Sequence, residues 1–287
     1  VVPATLSEIF IYLPESKKYI SPFYYWMPYG PPTAVSINND AIIFKKLKNK
    51  VEHNFTKIDG VSMNDNVITS NSEIILDEDM ETVFVNKSIS ETGYNAYYFR
   101  NLMKYIKEDQ IKEFANTIVF DEIDLDIKKY EIKNKEYRYN YDSSHPFTIE
   151  TQAKIKEDWI ENAGKNYLLS IGKVIGKQTN LYQETERIQD IDIQFPKKYI
   201  HTIKFSIPDN FTIKSVENLV FNKQLKNNNN EVIGSFISTA KIQDNTLLIN
   251  IEEFYNFTHL PKEKYNDYRN LINTAYDFYN SSVLLSK

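Results

Sequence analysis

The chain has 287 residues, 41% of them hydrophobic and 14% aromatic, with a net charge of -5. That length allows one large domain or two to three small ones, and the mild, mixed charge gives no basic stripe of the kind nucleic acid requires. The absence of cysteine excludes disulfides, thiolate metal sites and a cysteine nucleophile within this chain, and no apolar run reaches membrane-spanning length.

Residue 1 is Val, and the chain opens directly into VVPATLSEIFIYLP. This reads as mid-domain sequence, so further chain is expected before it. An apolar strand at Ile9–Leu13 and a turn at Glu15–Lys18 follow. The loop Ser21–Pro32, SPFYYWMPYGPP, is rich in aromatics and proline. Two readings stand for Phe23, Tyr24, Tyr25, Trp26 and Tyr29: a contact surface, since aromatics anchor interfaces, or the cap of a core edge. Ala41–Phe44 is a short strand. Residues 51–90 predict strands at Val67–Ser70, Glu73–Leu76 and Thr82–Lys87, with Asn/Asp turns between them. Asp77-Glu78-Asp79 lacks the spacing of a calcium loop and reads as a hairpin tip.

Over 93–119 the period changes. Tyr94, Tyr98, Leu102 and Ile106, then Ile111, Phe114, Ala115 and Ile118, recur at helical spacing and predict two helices broken near Lys107–Asp109. From 120 the alternation is that of strands again: Ile123–Ile127, Tyr137–Tyr141 and Ile149–Ile155 each have one apolar and one polar face. The clearest strand lies between Pro196 and Pro208. There Tyr199, His201, Ile203, Phe205 and Ile207 share one face, while Ile200, Thr202, Lys204 and Ser206 share the other. It should be a central rib. Strands at Phe211–Val216, Val232–Ile242 and Leu247–Phe254 follow, with the asparagine run 227–230 at a hairpin tip. Pro261 precedes a helix marked by Tyr265, Tyr268, Leu271, Ile272, Ala275, Tyr276 and Tyr279, and Ser282–Leu285 closes the chain as a strand. The fold class is therefore mainly β (α+β), an antiparallel β-sandwich with a helical insertion.

The four histidines, His53, His145, His201 and His259, form no local metal motif, and no nucleophile elbow or phosphate loop occurs. His201, on the apolar face of the rib, reads as a hydrogen-bonded core residue. Neither a metal nor a cofactor is expected.

Several segments, in order, resemble the C-terminal half of bacterial transglutaminase-like proteins common in Bacteroidota, in which a cysteine-protease-like core is flanked by β-sandwich domains. LSEIFIYLPESKKYISPF followed by MPYGPP is similar in spacing to the stretch that ends the catalytic core. ETGYNAYYFR resembles the family's tGYsAxxxR segment. NLYQETERIQDIDIQFPKKY, with Asn180, Arg187 and Pro196, resembles NPFxxeeRxxPVDFxxPxxY. HLPKEKYNDYRNLINTAYDF resembles the final helix. The resemblance implies that residues 1–50 are the end of a transglutaminase-like core, followed by a small α+β segment at 51–122 and a β-sandwich at 123–287. It places Glu8 where the family has its catalytic His and Ser21 where it has its Asp. Neither can take that role: a carboxylate cannot stand in for the imidazole that activates a thiol, nor a hydroxyl for the carboxylate that orients it.

The resulting expectation is a non-catalytic binding or scaffolding subunit, extracytoplasmic and periplasmic or outer-membrane associated, with protein partners in an envelope complex and no nucleic acid. Two alternatives remain: the C-terminal portion of an active cysteine peptidase or acyltransferase whose nucleophile lies upstream, and a glycan-binding sandwich.

Overall fold

Strands whose apolar residues fall on every second position must bury one face, and here they assemble one large sheet that does so. The computed structural model describes residues 8–24, 26–121, 123–136, 144–156, 158–182 and 187–287. The N-terminal part forms two small ribbons, β1 (Ile11–Leu13) with β2 (Lys18–Ile20), and β3 (Asp40–Lys46) with β4 (Val51–Lys57). Then come β5 (Val67–Leu76), β6 (Val83–Glu91), helices α1 (Gly93–Leu102) and α2 (Ile111–Phe120), β7 (Leu125–Lys133) and β8 (Phe147–Ile155). The hairpin β9 (Ile160–Ala163) and β10 (Asn166–Leu169) leads to β11 (Ile191–Asp192), β12 (Lys197–Ser206) and β13 (Thr212–Ile213). The chain ends with β14 (Phe221–Lys226), β15 (Val232–Gln243), β16 (Thr246–Tyr255), β17 (His259–Leu260), α3 (Tyr265–Tyr279) and β18 (Val283–Ser286).

The main sheet has eight strands in the order β14-β15-β16-β12-β5-β6-β8-β7. The expected rib is its fourth strand, β12, and His201, Ile203, Phe205 and Ile207 are buried as the alternation requires. Seven strands of this sheet come from hairpins or meanders, but β12 pairs with β5 in parallel, which a purely antiparallel sandwich does not contain. The connection between the two runs through β6, both helices and β7–β11, as a parallel neighbour demands. The expected boundary at 122/123 falls between α2 and β7, and strands from both sides of it share this one sheet.

One face of the sheet is dry. Helices α1 and α2 cover it at the β6–β8 end, where Phe99 and Phe114 meet Phe147. Helix α3 covers it at β14–β15, where Phe278 meets Phe236. The small sheet β13-β18-β10-β9 contributes Leu169, Ile213, Val283 and Leu285 to the same core. The layer over the sheet is thus partly helical and partly strand. The break between α1 and α2 is a short 3₁₀ turn at Glu108–Gln110. The strands expected at 67–70 and 73–76 are one continuous β5. The strand expected at 211–216 is cut to two residues, and β2, β4, β9, β10, β11, β14 and β17 were not expected. The asparagine run is a tip, with Asn227 Oδ1 accepting from the backbone N–H of Asn229 and Glu231. The strand expected at Tyr137–Tyr141 lies outside the described residues.

Candidate functional site

The N-terminal segment holds the residues singled out by sequence. Glu8 accepts hydrogen bonds from the hydroxyls of Thr33 and Ser36, both buried. Its charge, and a hydrogen bond from Tyr24, push the Tyr24 phenol above its ordinary pKa. The carboxylate is an anchor for the loop. Ser21 is half-buried at the loop's start. Phe23 is 68% exposed and Tyr24 stands edge-on to Trp26 at 6.0 Å. Tyr29 takes Lys18 Nζ over its ring at 4.7 Å. Tyr25 lies outside the described residues. The loop is therefore wet at Phe23 and Tyr24, while Met27 is buried beneath it.

Beyond the loop the β3–β4 ribbon stands apart from both sheets. Ile42, Phe44, Val51, His53 and Phe55 share one of its faces by register. Phe44, His53 and Phe55 meet in sequence at 6.3 and 6.2 Å, tilted and then edge-on, yet Phe44, Val51 and Phe55 are 64%, 62% and 71% exposed. Lys45, Lys46, Lys48 and Lys50 crowd its tip. At its base Asn38 Nδ2 donates to Thr258 Oγ1 at 2.9 Å, tying it to the segment before β17.

The motif residues of the resemblance turn out to be structural. Gly93 has φ +61°, and a Cβ there would lie 2.1 Å from Asn66 Oδ1, the atom that accepts from Tyr94 N–H. Tyr94 is buried and donates to Pro32 O at 2.8 Å, holding the loop onto α1. Arg100 is buried and donates to the carbonyls of Asn134 and His145. Arg187 donates to the carbonyls of Gln189 and Asp190 and lies over Tyr265.

A second site was missed by sequence. On the dry face the register aligns Glu91, Ile68, Tyr199 and Glu253 in one row across β6, β5, β12 and β16. Ile89, Ser70, His201 and Ile251 form the next row. These rows floor a pocket of about 470 Å³, walled by α2, α3 and the 175–179 strap. Glu253 accepts a hydrogen bond from Tyr255, and burial pushes its carboxyl up in pKa. Burial pushes Glu91 up to about 7, against which a hydrogen bond from Asn95 acts. Burial, with Lys87 nearby, pushes His201 down to about 3, so its imidazole is neutral. Lys87 is itself pushed down to about 7 by burial; its Nζ donates to Val174 O at 2.8 Å. Ser70 Oγ, Glu91 Oε2 and His201 Nδ1 are buried without a hydrogen-bond partner. His201 is thus not the satisfied core residue expected, because its buried Nδ1 has no hydrogen-bond partner. The signal for this site was a polar residue in the apolar phase of a strand, as at Lys87, Glu91, His201 and Glu253.

The opposite face carries a broad open groove of about 710 Å³. Its polar groups pair with one another, as Asn86 does with Glu73 at 3.0 Å. On the surface, His259 lies between Asp192 and Asp190 at 2.8 and 3.5 Å and clasps β11 to β17. Among the described residues no helix is long and apolar enough to cross a membrane.

Residues 165–285 match the family model of a domain of unknown function, DUF3858. The match takes in β12, β16 and α3 but reaches neither Glu8 and Ser21 nor Glu91. No curated protein and no solved structure matches the chain.

Proposed function

We propose that this chain is a non-catalytic binding or scaffolding subunit of the bacterial cell envelope, whose contact surface is the N-terminal segment 8–57, led by the β3–β4 ribbon. The observation that carries this is the ribbon's aromatic face. A two-stranded ribbon is marginal in water by itself, and one that holds Phe44, Val51 and Phe55 more than 60% exposed gains stability when a partner covers them. Exposed apolar side chains also cluster in the rest of the segment, at Ile9, Ile11, Phe23 and Val35. The lysines around the ribbon's tip favour a partner with an acidic rim.

The envelope location rests on the resemblance to transglutaminase-like proteins. Against the reading as part of an active cysteine enzyme stands Glu8, whose carboxylate is engaged by hydroxyls where such an enzyme needs an imidazole. Against a glycan platform stands the edge-on setting of Tyr24 and Trp26, 74° between planes, which offers no flat stacking surface.

The test is a photo-crosslinking residue placed at Phe55 in the native host, with the exposed Tyr130 on edge strand β7 of the main sheet as control. The expected result is a discrete protein adduct from position 55 alone, in the envelope fraction. No adduct from position 55, or the same adducts from both positions, would overturn the assignment of the surface. Recovery of the chain in the cytoplasm would overturn the location.

A further inference from the structure

The pocket on the dry face holds an unbalanced acceptor set. Glu253 already has the Tyr255 hydroxyl and feels the charge of Lys197, whose Nζ lies 5.6 Å from the Tyr199 ring. Glu91 has no such cation. One of its oxygens is served by Asn95, and Oε2 has no partner. Lys87 does not serve it, being spent on the Val174 carbonyl. Ser70 and His201 are paired residues of adjacent strands, and Ser70 lies two residues along β5 from Ile68, the partner of Glu91. Ser70 is thus a diagonal neighbour of Glu91 and His201 lies one strand farther along the same face, each with an unpartnered atom. Glu91, Ser70 and His201 are 5%, 2% and 8% exposed, so the unpartnered atoms are deep rather than superficial.

We propose that this pocket binds a small primary ammonium ion, with Glu91 Oε2, Ser70 Oγ and His201 Nδ1 accepting its N–H groups and the tyrosine rings enclosing its carbon portion. An ammonium carries three donors and no acceptor, and three residues lining the pocket each carry a buried idle atom that can accept, one of them a carboxylate oxygen. A neutral imidazole supplies an acceptor nitrogen when its proton is on Nε2. Leaving a buried carboxylate uncompensated is costly; a cation removes that cost, and a neutral alcohol does not. The walls suit the rest of such a ligand: Ile68, Ile118 and Ile272 are apolar, and Tyr199 and Tyr268 add aromatic rings. A volume of about 470 Å³ is that of a small-molecule site. Lys177 and Thr179, both exposed, stand at the mouth. Among the described residues no group of three His, Cys, Asp or Glu side chains is placed to hold a metal, which makes the organic cation the better fit to this donor set.

The test is calorimetric titration of the whole chain with n-propylammonium and ethanolammonium, against 1-propanol and 1,2-propanediol. The expected result is saturable binding of the ammonium ions and none of the alcohols. Loss of one hydrogen bond to a charged group in Ser70→Ala should weaken binding about tenfold, and loss of the charge in Glu91→Gln about a hundredfold. No saturable binding by either ammonium ion, equal binding of the alcohols, or unchanged affinity in Ser70→Ala would each overturn the proposal. Should Glu91→Gln fail to fold, the alcohols and Ser70→Ala decide alone.

Discussion

At Gly93 the chain enters α1 with φ +61° and packs against the Asn66 side chain with no room for a methyl group. Gly93→Ala therefore combines backbone strain with a backbone-level clash, and we expect it to lower unfolding stability by about 2 kcal/mol or more in urea denaturation. Tyr94→Phe removes the hydroxyl that reaches Pro32 O and should cost about 1 kcal/mol, with faster proteolysis of the 21–32 loop. The buried ionisable groups set a pH dependence. Glu91 has a folded-state pKa near 7 against an ordinary 4.5, so as pH rises from about 4.5 to 7 the unfolded chain releases a proton that the folded chain retains, and stability falls. The loss is bounded at roughly 3 kcal/mol. Glu253 acts in the same sense. Lys87, pushed down from 10.5 to about 7, acts in the opposite sense over a higher range, where stability rises with pH. His201, pushed down to about 3, raises stability as pH climbs toward 6.5 and opposes Glu91 there, so Glu91→Gln should shift the slope between pH 5 and 7 toward rising stability and be more stable at pH 8 than the parent chain. An unchanged slope would mean that Glu91 is not the group responsible. Each of these polar residues was visible in sequence as a wrong-phase member of an apolar strand face; their convergence was not, since it depends on strand register.

At the scale of elements, legibility followed burial. Strand β12 alternates cleanly because one face is dry and the other wet, and its inward residues were readable one by one. So were α2 and α3, whose apolar stripes face the sheet; on α1 the expected stripe of Tyr94, Tyr98, Leu102 and Ile106 fails, because Tyr98 is 52% exposed and Ala96, Tyr97 and Arg100 are buried instead. Strand β14 hid because Lys223 interrupts the inward set of Phe221 and Leu225 at the sheet's edge. Strand β4 hid because every residue of it is exposed, so no core imposes a pattern beyond its own alternation of Val51, His53 and Phe55. That same exposure makes the ribbon separable from the fold. We expect Phe44→Ser with Phe55→Ser to leave the thermal midpoint of the isolated chain within about 2 °C of its original value, since surface substitutions away from the core change little, while abolishing partner capture. A large fall in the midpoint would show that the ribbon contributes to the core instead.

For the whole molecule, the single eight-stranded sheet is what sequence could not supply. The parallel meeting of β5 and β12 joins residues more than a hundred positions apart, and no local pattern announces which strand lies beside which. Because α1, α2, α3 and the small sheet all close over one continuous face, the sheet should unfold in one cooperative transition, with the slowest amide exchange in β5, β12 and β16. The ribbon, outside that unit, should exchange fastest among the strands. This contrast also gives the most direct measurement of the binding role: amide exchange over residues 40–57 in the free chain and in the complex isolated from envelopes. The account predicts at least about tenfold slower exchange there on assembly, equivalent to about 1.4 kcal/mol of added protection. Unchanged exchange over 40–57, with new protection appearing on the opposite face of the main sheet, would contradict it.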